Sequence, residues 1–323
     1  MIVIVNSIIK VSLQKINLKG GNIMARFLGI ASVQREGVPG NAKANLDELE
    51  GYIDMIAYEY PWVDLIVFPE LAVQGLAPRL EDIAEPIPGK SVERLSRKAK
   101  EVKKWIIPGS MIELDGGKVY NTTPVLSPQG DLITKYRKMN PFSPAETSVP
   151  GNSFEVIDIN GVGRLGICIC YDAWFPEMTR SLVSMGAEVI IHPSFTPSTL
   201  LDAERTCRIA TALFNQAYVI GAGACGYHCG FTLAGHSMIV DPEGVVLQEA
   251  GDSPSIQIEM LDLDKVKLVR ELGTKGTVPM LKHLKRYAHE WPVFGNHRTT
   301  SPYLDSFGPI EDIPKTLNEA LQK

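Results

Sequence analysis

The sequence has few cysteines, no long apolar run and no cluster of basic residues. Its 323 residues include only five cysteines, which argues against a secreted disulfide framework and favours free thiols in a reducing, cytoplasmic setting. No apolar run approaches the roughly 18 residues that a membrane-spanning helix needs. The 32 Lys and Arg residues are scattered along a chain of net charge −5, so neither a membrane nor a nucleic acid is an expected partner.

The two ends of the chain differ from its middle. Residues 1–24 are basic and free of acidic residues, but they lack the apolar core and cleavage site of a signal peptide. We interpret them as an extension outside the fold, with Met24 as the natural start, so that removing residues 1–23 leaves activity intact. Residues 25–290 contain no linker and are predicted to form one domain. Residues 291–323 are predicted to form an arm at the interface of a homodimer or larger homo-oligomer.

Between these ends, short apolar strands alternate with amphipathic helices. Residues 27–33 and 63–68 read as strands, whereas residues 42–60 place Leu46, Leu49 and Ile53 on one helical face. Strands that are apolar throughout need cover on both faces, by helices on one side and by a second sheet on the other. We therefore predict an α/β fold of two mixed sheets flanked by helices, a four-layer α-β-β-α sandwich. Composition alone does not separate it from a single doubly wound sheet.

Cys170 is the first candidate for chemistry, because a buried strand delivers it to a turn before a helix that begins near Pro176. Such a turn exposes the side chain beside free backbone N–H groups. The field of the helix N-terminus is expected to lower the pKa of the thiol and make it nucleophilic. The alternative is a buried structural cysteine, which is how we interpret Cys168, two residues earlier in the same strand.

Two charged residues also stand at predicted strand ends. Glu70 ends a buried strand, where a carboxylate must be paired or have a raised pKa, and either state suits a general base. Lys138 follows a strand and precedes a proline-rich loop, residues 139–153, where a fixed ammonium could stabilise an oxyanion. The ordinary alternatives are a helix cap or salt-bridge partner for Glu70 and a solvated surface lysine for Lys138.

Three segments together resemble, in order and spacing, the Glu–Lys–Cys triad of the nitrilase, or carbon–nitrogen hydrolase, superfamily: Phe68-Pro69-Glu70, Tyr136-Arg137-Lys138 and Ile169-Cys170-Tyr171-Asp172. The resemblance runs from about residue 27 to at least residue 287. It implies hydrolysis of an amide through a cysteine thioester, without a metal or an organic cofactor. It also implies that Lys138 and the backbone N–H of Tyr171 hold the oxyanion.

The loop after Lys138 resembles the amidase branch of that superfamily. Glu146 follows Lys138 by eight residues, the spacing at which aliphatic amidases and formamidases carry a second glutamate that orients the substrate. An exposed loop carboxylate is the alternative. Phe142 lies where those enzymes place an aromatic residue of the pocket.

The residues after the nucleophile indicate an uncharged substrate. N-carbamoyl amino acid hydrolases place arginines there to bind a carboxylate, whereas this chain has Ala173 and Trp174. We therefore expect a small uncharged carboxylic amide that is hydrolysed to the acid and ammonia. Four residues are predicted to form the walls of the substrate pocket, with plain core packing as the alternative for the two at 174 and 195: Phe142, Trp174, Ser194 and Phe195.

Three other functions stay open from the sequence. The same triad could hydrolyse nitriles or N-carbamoyl amides, and the fold could be that of a catalytically silent binding protein. A metal site built on Cys225, His228 and Cys229 is a further alternative. It is disfavoured because no second paired motif lies at zinc-finger spacing.

Overall fold

The computed structural model describes residues 25–287 apart from Pro144, Asn160 and Cys229, and most of its strands fall into two large sheets. The first sheet has the order β15-β1-β2-β3-β5-β4, with β6 also pairing with β5. Its strands are β1 (Phe27–Gln34), β2 (Leu65–Val67), β3 (Trp105–Ile107), β4 (Met111–Asp115), β5 (Lys118–Leu126), β6 (Leu132–Arg137) and β15 (Ser255–Asp262).

The second sheet has the order β14-β13-β10-β9-β8-β7. Its strands are β7 (Val156–Ile159), β8 (Gly163–Ile167), β9 (Val189–Ser194), β10 (Tyr218–Gly223), β13 (Met238–Val240) and β14 (Val246–Glu249). Strands β11 (Cys225–His228) and β12 (Phe231–Ala234) form a separate hairpin. Both sheets are mixed, since β1 pairs in parallel with β2 but antiparallel to β15, and β10 pairs in parallel with β9 but antiparallel to β13.

The helices cover the outer faces of the sheets. They are α1 (Ala42–Glu59), α2 (Lys90–Val102), α3 (Pro176–Ser184), α4 (Leu201–Asn215), α5 (Leu263–Leu272) and α6 (Met280–Tyr287). Because side chains alternate along a strand, Leu65 and Val67 of β2 join the core shared with the second sheet. Ile66, between them, packs in the core under α1 and α2. The predicted α/β architecture of two mixed sheets flanked by helices is confirmed.

The structure corrects the prediction in its details. The strand expected to reach Cys170 ends at Ile167, and β4, β7 and the β11–β12 hairpin were not predicted. The expected extension at residues 1–24 and the arm at residues 291–323 lie outside the described residues. Within the part that is described, none of the helices has the length and apolar character needed to cross a bilayer.

Three strands end where the candidate site lies. Because β3 pairs in parallel with β2, and β5 lies antiparallel between β3 and β6, β2 and β6 run in the same direction. Glu70 follows β2 and Lys138 follows β6, so the first sheet supplies both charged groups at one edge. Cys170 follows β8 and comes from the second sheet. The candidate site therefore spans the junction between the two sheets.

Candidate active site

A cavity of about 610 Å³ brings the sequence-predicted groups together. Glu70, Lys138, Glu146 and Cys170 all line it. Glu70 and Lys138 are almost entirely shielded from solvent, whereas Glu146 and Cys170 are only partly buried. A mostly apolar cleft with a few convergent charged groups is the usual form of a small-molecule site.

The backbone at Cys170 is held in an unusual conformation. Cys170 begins a short 3-10 turn that ends at Trp174, and its φ of +48° lies in the left-handed region. For a residue with a side chain, this region costs on the order of 1–3 kcal/mol. His192 offsets the cost on one side, since its Nε2 lies 2.9 Å from the Cys170 carbonyl oxygen. On the other side, Asp172 accepts a hydrogen bond of 2.9 Å from the N–H of Ile169.

Asp172 also connects this turn to the segment that carries Lys138. Its carboxylate accepts hydrogen bonds from the hydroxyl of Tyr136, at 2.7 Å, and from the backbone N–H of Asn140, at 2.8 Å. Tyr136 and Asn140 lie two residues on either side of Lys138. The nucleophile turn and the lysine are therefore tied to one buried carboxylate.

Lys138 forms ion pairs with both glutamates. Its Nζ lies 2.9 Å from Oε1 of Glu70 and 2.7 Å from Oε2 of Glu146. Asn121 bridges the same two carboxylates, since its Nδ2 donates to Glu70 at 2.8 Å and to Glu146 at 2.9 Å. Ser148 donates a further hydrogen bond of 2.8 Å to Glu146. Buried charges persist in a protein when they are paired and hydrogen-bonded in this way.

Burial and charge shift the protonation of these groups in different directions. Burial raises the pKa of Glu70, and the charge of Glu146 adds to this effect, whereas Lys138 and a hydrogen bond from Cys170 act to lower it. Burial also acts to raise the pKa of Glu146, but Lys138 and its hydrogen bonds hold it below the ordinary value. Although burial acts to lower the pKa of Lys138, the charges of Glu70 and Glu146 hold it well above the ordinary value. Glu70 is therefore the better proton acceptor of the two glutamates.

The expectation of a lowered thiol pKa is wrong. Burial raises the pKa of Cys170 well above its ordinary value, and the charge of Glu70 adds to this effect, while Lys138 opposes it. The field of a helix N-terminus is too weak to offset the loss of water around the sulfur. The resting thiol is protonated, so it needs a base beside it in order to react.

Aromatic residues make up part of the cavity lining. Phe142, Tyr171, Trp174 and Phe195 all line the cavity. The Tyr171 ring makes an edge contact with Phe142, with centroids 5.3 Å apart, and a tilted contact with Trp174 at 5.8 Å. The N–H of Tyr171 belongs to the first turn of the 3-10 segment, where backbone donors have no acceptor within the helix.

Ser194 does not belong to this pocket, and its prediction as a pocket residue is wrong. Neighbouring side chains on a strand point in opposite directions, and the Ser194 hydroxyl accepts a hydrogen bond of 2.6 Å from Arg208 on α4. Thr196, which the sequence analysis missed, lines the cavity instead, with its Oγ1 4.0 Å from the Cys170 sulfur. Asn121 was also missed as a site residue, because the local sequence around it gives no sign that its side chain binds two carboxylates.

Another part of the cavity lining is aliphatic. Leu71, Leu80 and Ile112 line the cavity and belong to one apolar cluster, against which Phe195 also packs. Among the described residues that line the cavity, the only Asp, Glu, Lys or Arg residues are Glu70, Lys138 and Glu146. The cavity therefore offers an acyl group an apolar wall, and its one lysine already has two anionic partners.

The alternative metal site is not supported by the residues that the structure describes. Nowhere in that part of the chain do three or more His, Cys, Asp or Glu side chains form a possible metal site. His228 Nε2 accepts a hydrogen bond of 2.9 Å from the N–H of Leu76, and Cys225 is buried. The third proposed ligand, Cys229, lies outside the described residues.

Residues 29–271 match the family model for carbon–nitrogen hydrolase. The chain is 35% identical to the mouse (Mus musculus) omega-amidase NIT2 over 213 residues, which is 62% of this chain and 75% of that protein. It is 32% identical to a formamidase of Bacillus cereus strain B4264 over 200 residues, 60% of each protein.

Solved structures agree with this match. Nit3 of Saccharomyces cerevisiae, a member of branch 10 of the nitrilase superfamily, has a TM-score of 0.70 at 30% identity, covering 76% of this chain and 94% of Nit3. An amidase from Nesterenkonia sp. shares the fold at 24% identity, with a TM-score of 0.67 over 75% of this chain and 93% of that one. The chain belongs to the carbon–nitrogen hydrolase family. Within this family it is an amidase.

Proposed function

We propose that this amidase hydrolyses uncharged carboxylic amides to the acid and ammonia through a thioester on Cys170. The observation that carries the proposal is that Cys170, Glu70, Lys138 and Glu146 all line the same cavity. Because the pKa of the thiol is raised and Glu70 lies beside it, Glu70 removes the thiol proton as the sulfur attacks the amide carbon. Lys138 and the N–H of Tyr171 stabilise the oxyanion that forms.

The same glutamate then serves the rest of the reaction. Amide nitrogen is a poor leaving group until it is protonated, so protonated Glu70 returns the proton as the carbon–nitrogen bond breaks and ammonia leaves. Glu70 next takes a proton from water, whose oxygen attacks the thioester, and the thiol leaves with that proton. Glu146 keeps its charge throughout because its pKa is lowered, and in this position it orients Lys138 and the substrate amide.

The walls of the cavity define the acyl group. A carboxylate on the acyl chain would face aliphatic residues such as Leu71 and Leu80, and none of the described residues that line the cavity would offer it a free cation. Leaving the carboxylate unpaired would cost several kcal/mol. We therefore propose an uncharged, apolar acyl group, and this distinguishes the chain from an amidase whose substrate carries a carboxylate besides the amide.

Ammonia release from matched substrates tests this proposal. Pentanamide and succinamate have similar size but differ in the charge at the far end, and pentanenitrile presents the same alkyl chain on a nitrile. We expect kcat/KM for pentanamide to exceed that for succinamate by at least about 100-fold, the factor that an unpaired charge produces. Equal rates for the two amides would contradict the uncharged substrate class. Faster turnover of pentanenitrile would favour a nitrilase.

A further inference from the structure

A buried polar cluster lies behind the nucleophile, on the side away from the cavity. The His192 cluster consists of His192, Arg208, Glu204 and Ser194, all 2% exposed or less, with Trp174 at its edge. Arg208 donates to Nδ1 of His192 at 3.3 Å and to Glu204 at 3.0 Å. The other oxygen of Glu204 accepts a hydrogen bond of 2.9 Å from Nε1 of Trp174. None of these contacts involves the reacting groups of the proposed mechanism.

The cluster determines which nitrogen of His192 carries the proton. A guanidinium can only donate, so Nδ1 must present its lone pair to Arg208. Burial lowers the pKa of His192, which keeps the imidazole neutral with its proton on Nε2. That N–H lies 2.9 Å from the carbonyl oxygen of Cys170, which can only accept. His192 therefore donates to this carbonyl, and Arg208 maintains the tautomer.

The carbonyl of Cys170 and the N–H of Tyr171 belong to the same peptide group. In a trans peptide these two bonds are coplanar and point in opposite directions. We propose that His192 is a positioning residue for the oxyanion site: by binding the carbonyl from behind, it directs the Tyr171 N–H into the cavity. The inference rests on the proposed function, in which that N–H binds the oxyanion.

The left-handed backbone of Cys170 explains why such support is needed. With φ at +48°, the residue is in a conformation that the surrounding structure must maintain. Without the donor on Nε2, the Cys170–Tyr171 peptide is free to rotate, and its N–H no longer points steadily at the position of the oxyanion. A hydrogen bond at the carbonyl also polarises the amide, which strengthens its N–H as a donor.

Two reactions of the same sulfur test this role. Amide hydrolysis passes through an oxyanion, whereas alkylation of Cys170 by iodoacetamide displaces iodide at a methylene carbon and forms none. For His192→Leu we expect kcat for pentanamide to fall by roughly 10- to 100-fold. This decrease is no larger than the one caused by removing a direct oxyanion donor. KM and the rate of Cys170 alkylation should stay within about threefold. His192→Gln, which places an amide N–H near Nε2, should recover most of the lost kcat.

The controls separate the possible failures. His236→Gln is the matched histidine control, because its imidazole faces Glu249 and Asp252 at the surface, and it should retain normal turnover. Alkylation is assigned to Cys170 by fragmentation of the peptide that also holds Cys168. Equal losses of hydrolysis and alkylation in His192→Leu, or unchanged kcat, would overturn the positioning role. If alkylation of Cys170 in the unmodified enzyme leaves turnover intact, the proposed function itself fails.

Discussion

At the scale of single residues, the chemistry depends on a protonated thiol and a carboxylate that can accept its proton. Short motifs at strand ends allowed Glu70, Lys138 and Cys170 to be predicted, because carboxyl ends of neighbouring strands converge. The raised pKa of the thiol could not be predicted, since a motif carries no information about burial. His192 contacts Cys170, and Arg208 contacts His192, only because the fold brings distant segments together. No local sequence pattern links these residues.

The triad assignment predicts a sharp contrast between neighbouring cysteines. Cys170→Ala, Glu70→Gln and Lys138→Ala should each lower kcat for pentanamide by at least about 10³-fold, as loss of a catalytic group does. Cys168→Ala should retain turnover, because the Cys168 sulfur is buried just beyond the end of β8 and contacts the carbonyl of Ile191. Ammonia release measures both outcomes. Full activity in Cys170→Ala would refute the assignment.

The second glutamate should control the pH range of activity. The negative charge of Glu146 disfavours a second charge on Glu70 and so raises the pKa of Glu70. Glu146→Gln removes that charge and lowers the pKa of Glu70, so the base form persists to lower pH. We expect the acidic limb of the pH profile of kcat/KM to move to lower pH, alongside a fall in activity.

Ser148→Ala is the matched control for this shift. It removes a hydrogen bond to Glu146 without changing any charge, so the acidic limb should stay close to its original position. A limb that moves to higher pH in Glu146→Gln would contradict the electrostatic account.

At the scale of elements, one glycine after β3 supports the position of Glu70. Gly109 has a φ of +75°, and a Cβ there would lie 1.6 Å from the carbonyl oxygen of Pro69. The next residue, Ser110, accepts a hydrogen bond of 3.1 Å from the N–H of Leu71. The backbone on both sides of Glu70 therefore rests on this short segment.

Gly109→Ala should disturb both stability and activity. Strain at positive φ and the clash with Pro69 should together lower the free energy of unfolding by at least about 3 kcal/mol. We also expect kcat to fall, because the clash displaces the base.

Gly116, in the β4–β5 turn, has a φ of +56° but no neighbour within 4 Å of a Cβ. Gly116→Ala should therefore cost only about 1–2 kcal/mol and spare kcat, as urea unfolding and ammonia release would show. Equal effects of the two changes would rule out the close contact as the cause.

Elements with strong periodicity could be predicted, and irregular ones could not. The α1 helix and strands β1 and β2 follow from apolar spacing alone. Strand β4 buries a glutamate, Glu113, and exposes a leucine, Leu114, and β11 includes a glycine at a φ of +82°, so neither has the expected alternation. Two of the potential metal ligands, Cys225 and His228, are part of this unpredicted hairpin.

At the scale of the whole molecule, the site depends on two sheets rather than one. Strands buried on both faces predicted sheets covered by other layers, but composition alone did not separate two stacked sheets from a single doubly wound sheet. How closely the layers align could not be predicted, because that depends on side-chain packing over the whole interface. Glu70, Lys138 and Glu146 come from the first half of the described chain, and Cys170 comes from the second.

This division makes the molecule suitable for reassembly from two fragments. Asn152 and Ser153 are exposed in the segment between β6 and β7, where a backbone cut is best tolerated. Neither fragment would hold a complete set of reacting groups. Strand β15, however, pairs with β1 along eight residues, from Phe27↔Asp262 to Gln34↔Ser255, so the second fragment carries its own template for the first. If ammonia is produced only after the two fragments are mixed, the activity measures how well the two sheets associate.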